Sequence, residues 1–220
     1  MERPTGALLG SVFVGDNSAL MKALAPLYFT GSVLDMTYGR GGWWRTFQPH
    51  PFVGHDLKTD GVDFTNLPED DASFDTVCFD PPYIPAGGHG TSTKLDFRDR
   101  FGLPALTQLD VDTMMANGLI EAARVARCWV LGKCCDYVNG GRFTLGHLKM
   151  IDAARAAGLG EPWDLIVHHT GSGPGGHNIY TPIRARRCHS YLLVWKVPRH
   201  RATPANPQQL SASPTPSVAR

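Results

Sequence analysis

An acid, two prolines and an aromatic ring follow one another at Asp80-Pro81-Pro82-Tyr83, directly after the apolar run Thr76-Val77-Cys78-Phe79. Neither proline can donate a backbone hydrogen bond, and both hold the chain extended. What remains is a pair of acceptors, the Asp80 carboxylate and the Pro81 carbonyl, with the Tyr83 ring beside them as a stacking face. Two acceptors next to a flat platform suit a planar ring that carries an amino group. The alternative reading is a strand followed by a Pro-Pro turn, with Asp80 capping the loop and Tyr83 packing on the surface.

A second group of residues lies upstream. Gly31-Ser32-Val33-Leu34-Asp35 reads as a short strand ending in an acid, and Met36-Thr37-Tyr38-Gly39-Arg40-Gly41-Gly42 follows as a glycine-rich loop. Missing side chains at Gly39 and Gly41 let backbone approach a ligand closely. Asp56 stands about 20 residues after Asp35, the spacing at which an acid ending the next strand reaches a ribose.

These groups need elements that bring them together. Asp16-Asn17-Ser18 can cap a helix through Ala19 to Leu24 that ends near Pro26, and strands are expected at Ser32 to Asp35, Pro51 to Asp56 and Asp75 to Phe79. Apolar residues at helical spacing fill Val111 to Arg127, a strand follows at Cys128 to Gly132, and a second such helix covers Leu145 to Ala157, stopped by Gly158. Strands at Trp163 to His169 and His189 to Lys196 flank a Gly- and Arg-rich arm. This alternation with a closing hairpin predicts an α/β fold: a mainly parallel seven-stranded sheet, one antiparallel strand near an edge, helices on both faces. In such sheets ligands sit beyond the carboxyl ends of the strands, where Asp35, Asp56 and Asp80 all fall.

The order of strand, Asp, glycine loop, second acid and Asp-Pro-Pro-Tyr resembles the S-adenosylmethionine-dependent DNA amino-methyltransferases of the N6-adenine and N4-cytosine type. His189-Ser190-Tyr191-Leu192-Leu193-Val194-Trp195 is similar to the closing strand of that family, so the resemblance runs from about residue 12 to 197. It implies a Rossmann-like class I methyltransferase fold with S-adenosylmethionine as cofactor, held by Asp35, Tyr38, Gly39, Gly41, Asp56, Asp63 and Phe64. It implies catalysis by Asp80, Pro81, Pro82 and Tyr83 on a flipped base, and Asp at the head of the motif favours adenine N6 over cytosine N4. The chain departs from the family where Met36-Thr37 replaces Pro-Phe and Gly42 replaces Thr. The tandem Trp43-Trp44 after the loop is either helix-to-sheet packing or a lid or stacking surface. Lys133 after the fifth parallel strand is either a family-like position or a plain surface lysine.

Composition bounds the rest. The chain has 220 residues, 42% hydrophobic and 19% charged, with a formal net charge of +1. One folded unit over residues 1–197 is expected, with a disordered Pro/Ala/Ser-rich tail at 198–220. Bulk charge does not demand a polyanionic partner, so contacts to DNA fall to local clusters in two candidate recognition loops: Lys94 and Arg98 in 84–104, and Arg184, Arg186 and Arg187 in 170–187. RNA as substrate, or an idle nucleic-acid-binding module that keeps the fold, are the competing readings. Five cysteines at irregular spacing and scattered histidines predict reduced thiols, no metal site and a cytoplasmic protein. No apolar run reaches the ~20 residues of a membrane span. Asp70 and Asp71 read as a solvated acidic turn.

Overall fold

Asp16 opens the first helix. Its carboxylate accepts from the Ala19 N–H at 2.7 Å, and helix α1 runs over Asn17–Tyr28 between strands β1 (Val12–Val14) and β2 (Val33–Asp35). The helix continues two residues past Pro26. A proline in the last turn costs one intrahelical bond, and the Phe29 N–H still closes the helix on the Ala25 carbonyl. The computed structural model describes residues 9–83, 103, 106–139, 141–170, 185 and 187–198. Strands β3 (Phe52–Gly54) and β4 (Phe74–Phe79) follow, then helix α2 (Gln108–Val125) and strand β5 (Ala126–Cys134). A hairpin of β6 (Tyr137–Asn139) and β7 (Arg142–Thr144) precedes helix α3 (Gly146–Ala156), and β8 (Asp164–His169) and β9 (His189–Lys196) complete the described elements.

Seven strands form one sheet in the order β1-β8-β9-β5-β4-β2-β3. All neighbours pair parallel except β9, which runs antiparallel to both β5 and β8. This is the mainly parallel, Rossmann-like sheet expected from the sequence, with its antiparallel strand third from one edge. Alternating residues feed two cores. On one face Leu20, Met21 and Leu24 of α1 pack with Val33, Cys78 and Leu131; on the other, Met115 and Leu119 of α2 and Met150 of α3 pack with Leu34, Phe79 and Trp195. Each such fully buried side chain contributes roughly 1.5–3 kcal/mol.

Three features differ from the expected alternation. Val12–Val14 is an edge strand, parallel to β8, where only an apolar run was legible. Helix α2 begins at Gln108, three residues early, because Thr107 and Asp110 form a reciprocal capping box. No helix joins β2 to β3 or β3 to β4; both crossovers are turns. Aromatic residues cover the sheet there instead: Trp44 packs edge-on against Phe52 with ring centroids 5.0 Å apart, and Phe29 lies 5.7 Å from Trp44.

Candidate functional site

Beyond the carboxyl ends of β2, β3 and β4 lies a cavity of about 500 Å³, within the range of small-molecule sites. Parallel pairing puts it there. Asp35 is the last residue of β2 and lies in register with Gly54 of β3 and Cys78 of β4, so Asp56 and Asp80, each two residues further along its own strand, project past the same sheet edge. All three acids line the cavity.

Its floor is a hydrogen-bonded group drawn from distant parts of the chain. The Trp44 indole N–H donates to Asp35 Oδ2 at 2.6 Å, and the Thr37 N–H and hydroxyl donate to Asp35 Oδ1 at 3.0 and 3.3 Å. The Thr37 hydroxyl oxygen also accepts from the Asp80 N–H at 2.7 Å, while the Trp43 indole N–H donates to Asp80 Oδ2 at 3.1 Å. Asp35 is 3% exposed. Burial pushes its carboxyl up to about 7; the bonds from Trp44 and Thr37 pull the other way, and the nearby Asp80 charge adds to the rise.

The rim is built from short-range turns. Asp56 Oδ1 accepts from the Lys58 N–H at 3.0 Å, Asp60 Oδ1 from the Asp56 and Val62 N–H groups at 3.1 and 3.2 Å, and Asp63 Oδ1 from both the Thr65 N–H and hydroxyl at 2.8 Å. His55 ties these turns down, with Nδ1 2.6 Å from Asp60 and Nε2 2.6 Å from Glu69. Its burial disfavours the charged ring, but the two carboxylates outweigh that and raise its pKa above the ordinary imidazole range. The Glu69 carbonyl accepts from Arg124 of α2 at 2.7 Å, which fixes the acidic turn to the helix. Asp71 of that turn is largely exposed, as expected, and also pairs with Arg124 at 2.9 Å.

Two left-handed glycines shape the wall between floor and rim. Gly39 and Gly41 have φ of 56° and 67°, and a Cβ at Gly41 would come within 2.7 Å of the Tyr38 hydroxyl oxygen. The turn and its own tyrosine account for Gly41 without a ligand. Bare backbone faces the cavity at Gly39 and Gly42. Across from them Phe64 stands edge-on to Phe79 with centroids 5.4 Å apart, and Gly118 of α2 makes room for both rings, since a Cβ there would fall 2.4 Å from Phe79.

Of the expected cofactor residues, Asp35, Tyr38, Gly39, Asp56, Asp63 and Phe64 line this cavity, and Gly41 stands behind Tyr38. Of the motif, Asp80 and Pro82 line it; Pro81 is buried, and Tyr83 is half-buried against the larger core cluster. The Arg187 guanidinium lies 5.4 Å above the Phe143 ring. Lys94, Arg98, Arg184 and Arg186, most of both recognition loops and all but the first residue of the tail lie outside the described residues. Lys133 is no surface lysine: it is 6% exposed, and Nζ donates to Asn17 Oδ1, at the start of α1 on the cavity wall, at 2.5 Å.

Thr37 and Met114 are cavity residues that the sequence does not single out. Thr37 carries the one available signal, a hydroxyl two residues after a strand-end acid. Trp43 and Trp44 are 5% and 6% exposed, so the packing reading holds for both, yet Trp43 also lines the cavity. The β6–β7 hairpin had a signal too: Asn139-Gly140-Gly141 between short alternating runs.

No protein-family profile and no curated protein matches the chain. Among solved structures it is similar to a candidate methyltransferase of Haloferax volcanii in complex with the Trm112 methyltransferase activator, at 16% identity over 84% of this chain and 95% of that one, with a TM-score of 0.46. It is similar to a candidate DNA modification methylase of Thermus thermophilus complexed with S-adenosyl-L-methionine, at 14% identity over 81% of this chain and 61% of that one, with a TM-score of 0.38. A SAM-dependent methyltransferase of Thermotoga maritima matches at 11% identity over 83% of this chain and 90% of that one, with a TM-score of 0.42. The chain thus spans less than two thirds of the Thermus protein. At these scores the likenesses add nothing to the α/β sheet order, which is read from this chain's own strand pairing.

Proposed function

We propose that this chain is an S-adenosylmethionine-dependent methyltransferase acting on an exocyclic amine of a DNA base, adenine N6 in preference to cytosine N4. The observation that carries the reading is the meeting of Asp35, Asp56 and Asp80 at one cavity of about 500 Å³ beyond the carboxyl ends of three parallel strands. The donor set fits the cofactor. Asp56 on the rim is an acceptor for ribose hydroxyls, Phe64 and Met114 offer apolar surface for a purine, and the bare backbone at Gly39 and Gly42 leaves room for an amino-acid end.

When bound, S-adenosylmethionine supplies an electrophilic methyl group, which passes to the amine as the carbon–sulfur bond breaks. The protein's part is to prepare the amine. A conjugated exocyclic nitrogen has its lone pair spread into the ring and is a poor nucleophile. The Asp80 carboxylate and the Pro81 carbonyl accept its two N–H bonds and turn the lone pair toward the cavity. As the nitrogen gains positive charge, the Asp80 carboxylate stabilises it and accepts the proton it sheds. Tyr83, held against the core, supports the base, and a duplex substrate must yield that base from its stack at a cost of a few kcal/mol. Asp35 accepts from Trp44 and Thr37, and its role in this reading is to brace the floor of the cavity.

The test uses the purified chain with S-adenosylmethionine carrying a labelled methyl, incubated separately with unmethylated DNA and RNA, followed by digestion and identification of the modified nucleoside. N6-methyladenine from DNA is the expected product. Label in RNA alone moves the substrate to RNA, and label in neither polymer defeats the enzymatic reading.

A further inference from the structure

The tandem Trp43-Trp44 does something the packing reading leaves unexplained. Both indole N–H groups point at acids of the cavity: Trp43 at Asp80 Oδ2 (3.1 Å) and Trp44 at Asp35 Oδ2 (2.6 Å). Two buried rings could satisfy their N–H groups in many ways. Here each takes a different strand-end carboxylate, one on β2 and one just past β4.

The local chain is built to deliver them. The Gly41 N–H donates to the Tyr38 carbonyl at 2.9 Å and the Trp44 N–H to the Gly41 carbonyl at 3.0 Å, so two consecutive turns fold the segment back over the strand ends. Left-handed φ at Gly39 and Gly41 permits those turns. Thr37 completes the coupling, because its hydroxyl donates to Asp35 and accepts from the Asp80 N–H. Asp80 is therefore gripped at its backbone by Thr37 and at its carboxylate by Trp43.

We propose that Trp43 is a positioning residue for methyl transfer, which fixes the plane of the Asp80 carboxylate through its indole N–H, and that the glycine turns serve in this chain to aim that indole. The inference rests on the reading of Asp80 given under Proposed function. A preorganised carboxylate needs no reorientation as the amine attacks, and an oxygen held by a donor cannot swing away from the reacting nitrogen. Trp44 acts one step further back, through Asp35 and Thr37.

Trp43→Phe keeps an aromatic side chain, smaller than the indole, and removes the N–H. With wild type active, the expected result is a fall in kcat of about 10- to 100-fold with the dissociation constant for S-adenosylmethionine unchanged within about 3-fold. A ring that only packs would leave kcat near wild type in every correctly folded variant, and that outcome overturns the inference while the proposed function stands. An inactive wild type removes both together. If Trp43→Phe does not fold, the indole ¹⁵N–H resonance of Trp43 in the unmodified tryptophan background gives the answer: Asp80→Asn is expected to shift it and speed its exchange with solvent. An indole resonance indifferent to Asp80→Asn also overturns the inference.

Discussion

The floor and the rim of the cavity are built by opposite means. On the floor, Asp35 and Asp80 are held by Thr37, Trp43 and Trp44 through bonds that join β2, the glycine loop and the end of β4, up to 43 residues apart in sequence. On the rim, Asp56, Asp60 and Asp63 bond to backbone N–H groups no more than four residues away. His55 reaches further, to Glu69 across 14 residues. The bonds to Asp80 cross 37 and 43 residues and fix its direction, while Asp35, held by Thr37 and Trp44 nearer in sequence, is the buried acid whose pKa that burial raises. Local turns present a carboxylate at the surface and leave it wet. The first arrangement suits a group that must be oriented for chemistry, the second one that must bind and release a ligand.

Substitutions should separate the two, and the largest effect belongs to the floor. Asp80→Ala is expected to lower methyl transfer by about 10³-fold or more, measured as label incorporated per turnover time, since both orientation and charge stabilisation go. Transfer retained within a few fold would assign the chemistry elsewhere. Asp35→Ala comes next and acts on stability: it leaves the Trp44 indole and the Thr37 N–H without their buried acceptor, at a cost of roughly 2–4 kcal/mol in urea unfolding at pH 4. The sign with pH follows from a folded pKa of about 7. Between the unfolded value near 4 and that folded value the native state holds a proton the unfolded chain releases, so the wild type loses this stability as pH rises through the window and the gap to Asp35→Ala narrows. A gap that widens with pH would show Asp35 to be an ordinary ionised acid.

Rim changes should cost binding and little else. Asp56→Ala is expected to weaken S-adenosylmethionine by about 10- to 100-fold, the loss of a charge-assisted hydrogen-bond pair, with an unchanged unfolding midpoint. The smallest effect is at His55, whose raised pKa comes from Asp60 and Glu69 against the pull of burial. Its clamp is complete below the unfolded imidazole value near 6.5 and is lost as pH climbs through the raised folded value. His55→Ala should therefore cost about 1 kcal/mol at pH 5.5 and less at pH 9, read from paired denaturant curves. A cost that grows with pH would mean the ring is held neutral.

Legibility follows the same division. Part of the rim could be read directly, since Asp56 follows a strand end and accepts from an N–H two residues on, but Asp60 and the His55 tie to Glu69 were not read. The sheet was legible because the apolar runs of its strands and the helix cap at Asp16 are also local, although the Thr107 capping box, which starts α2 three residues before its apolar periodicity becomes regular, was not read. The floor was not. That Trp43 meets Asp80 depends on β2 and β4 lying side by side in the register Asp35 to Cys78, which no window of sequence contains. Edge strand β1 escapes a sequence reading for a related reason: Val12 and Val14 are 62% and 70% exposed, so it owes its place to backbone pairing with β8 and not to burial.

Calorimetric titration of S-adenosylmethionine into wild type, Asp56→Ala and Asp80→Ala, side by side, tests the division of labour most directly. The account predicts saturable binding by wild type, affinity within a few fold of it for Asp80→Ala, and about 10- to 100-fold weaker binding for Asp56→Ala. No binding by the wild type, or an Asp80→Ala variant weakened as much as Asp56→Ala, would contradict it.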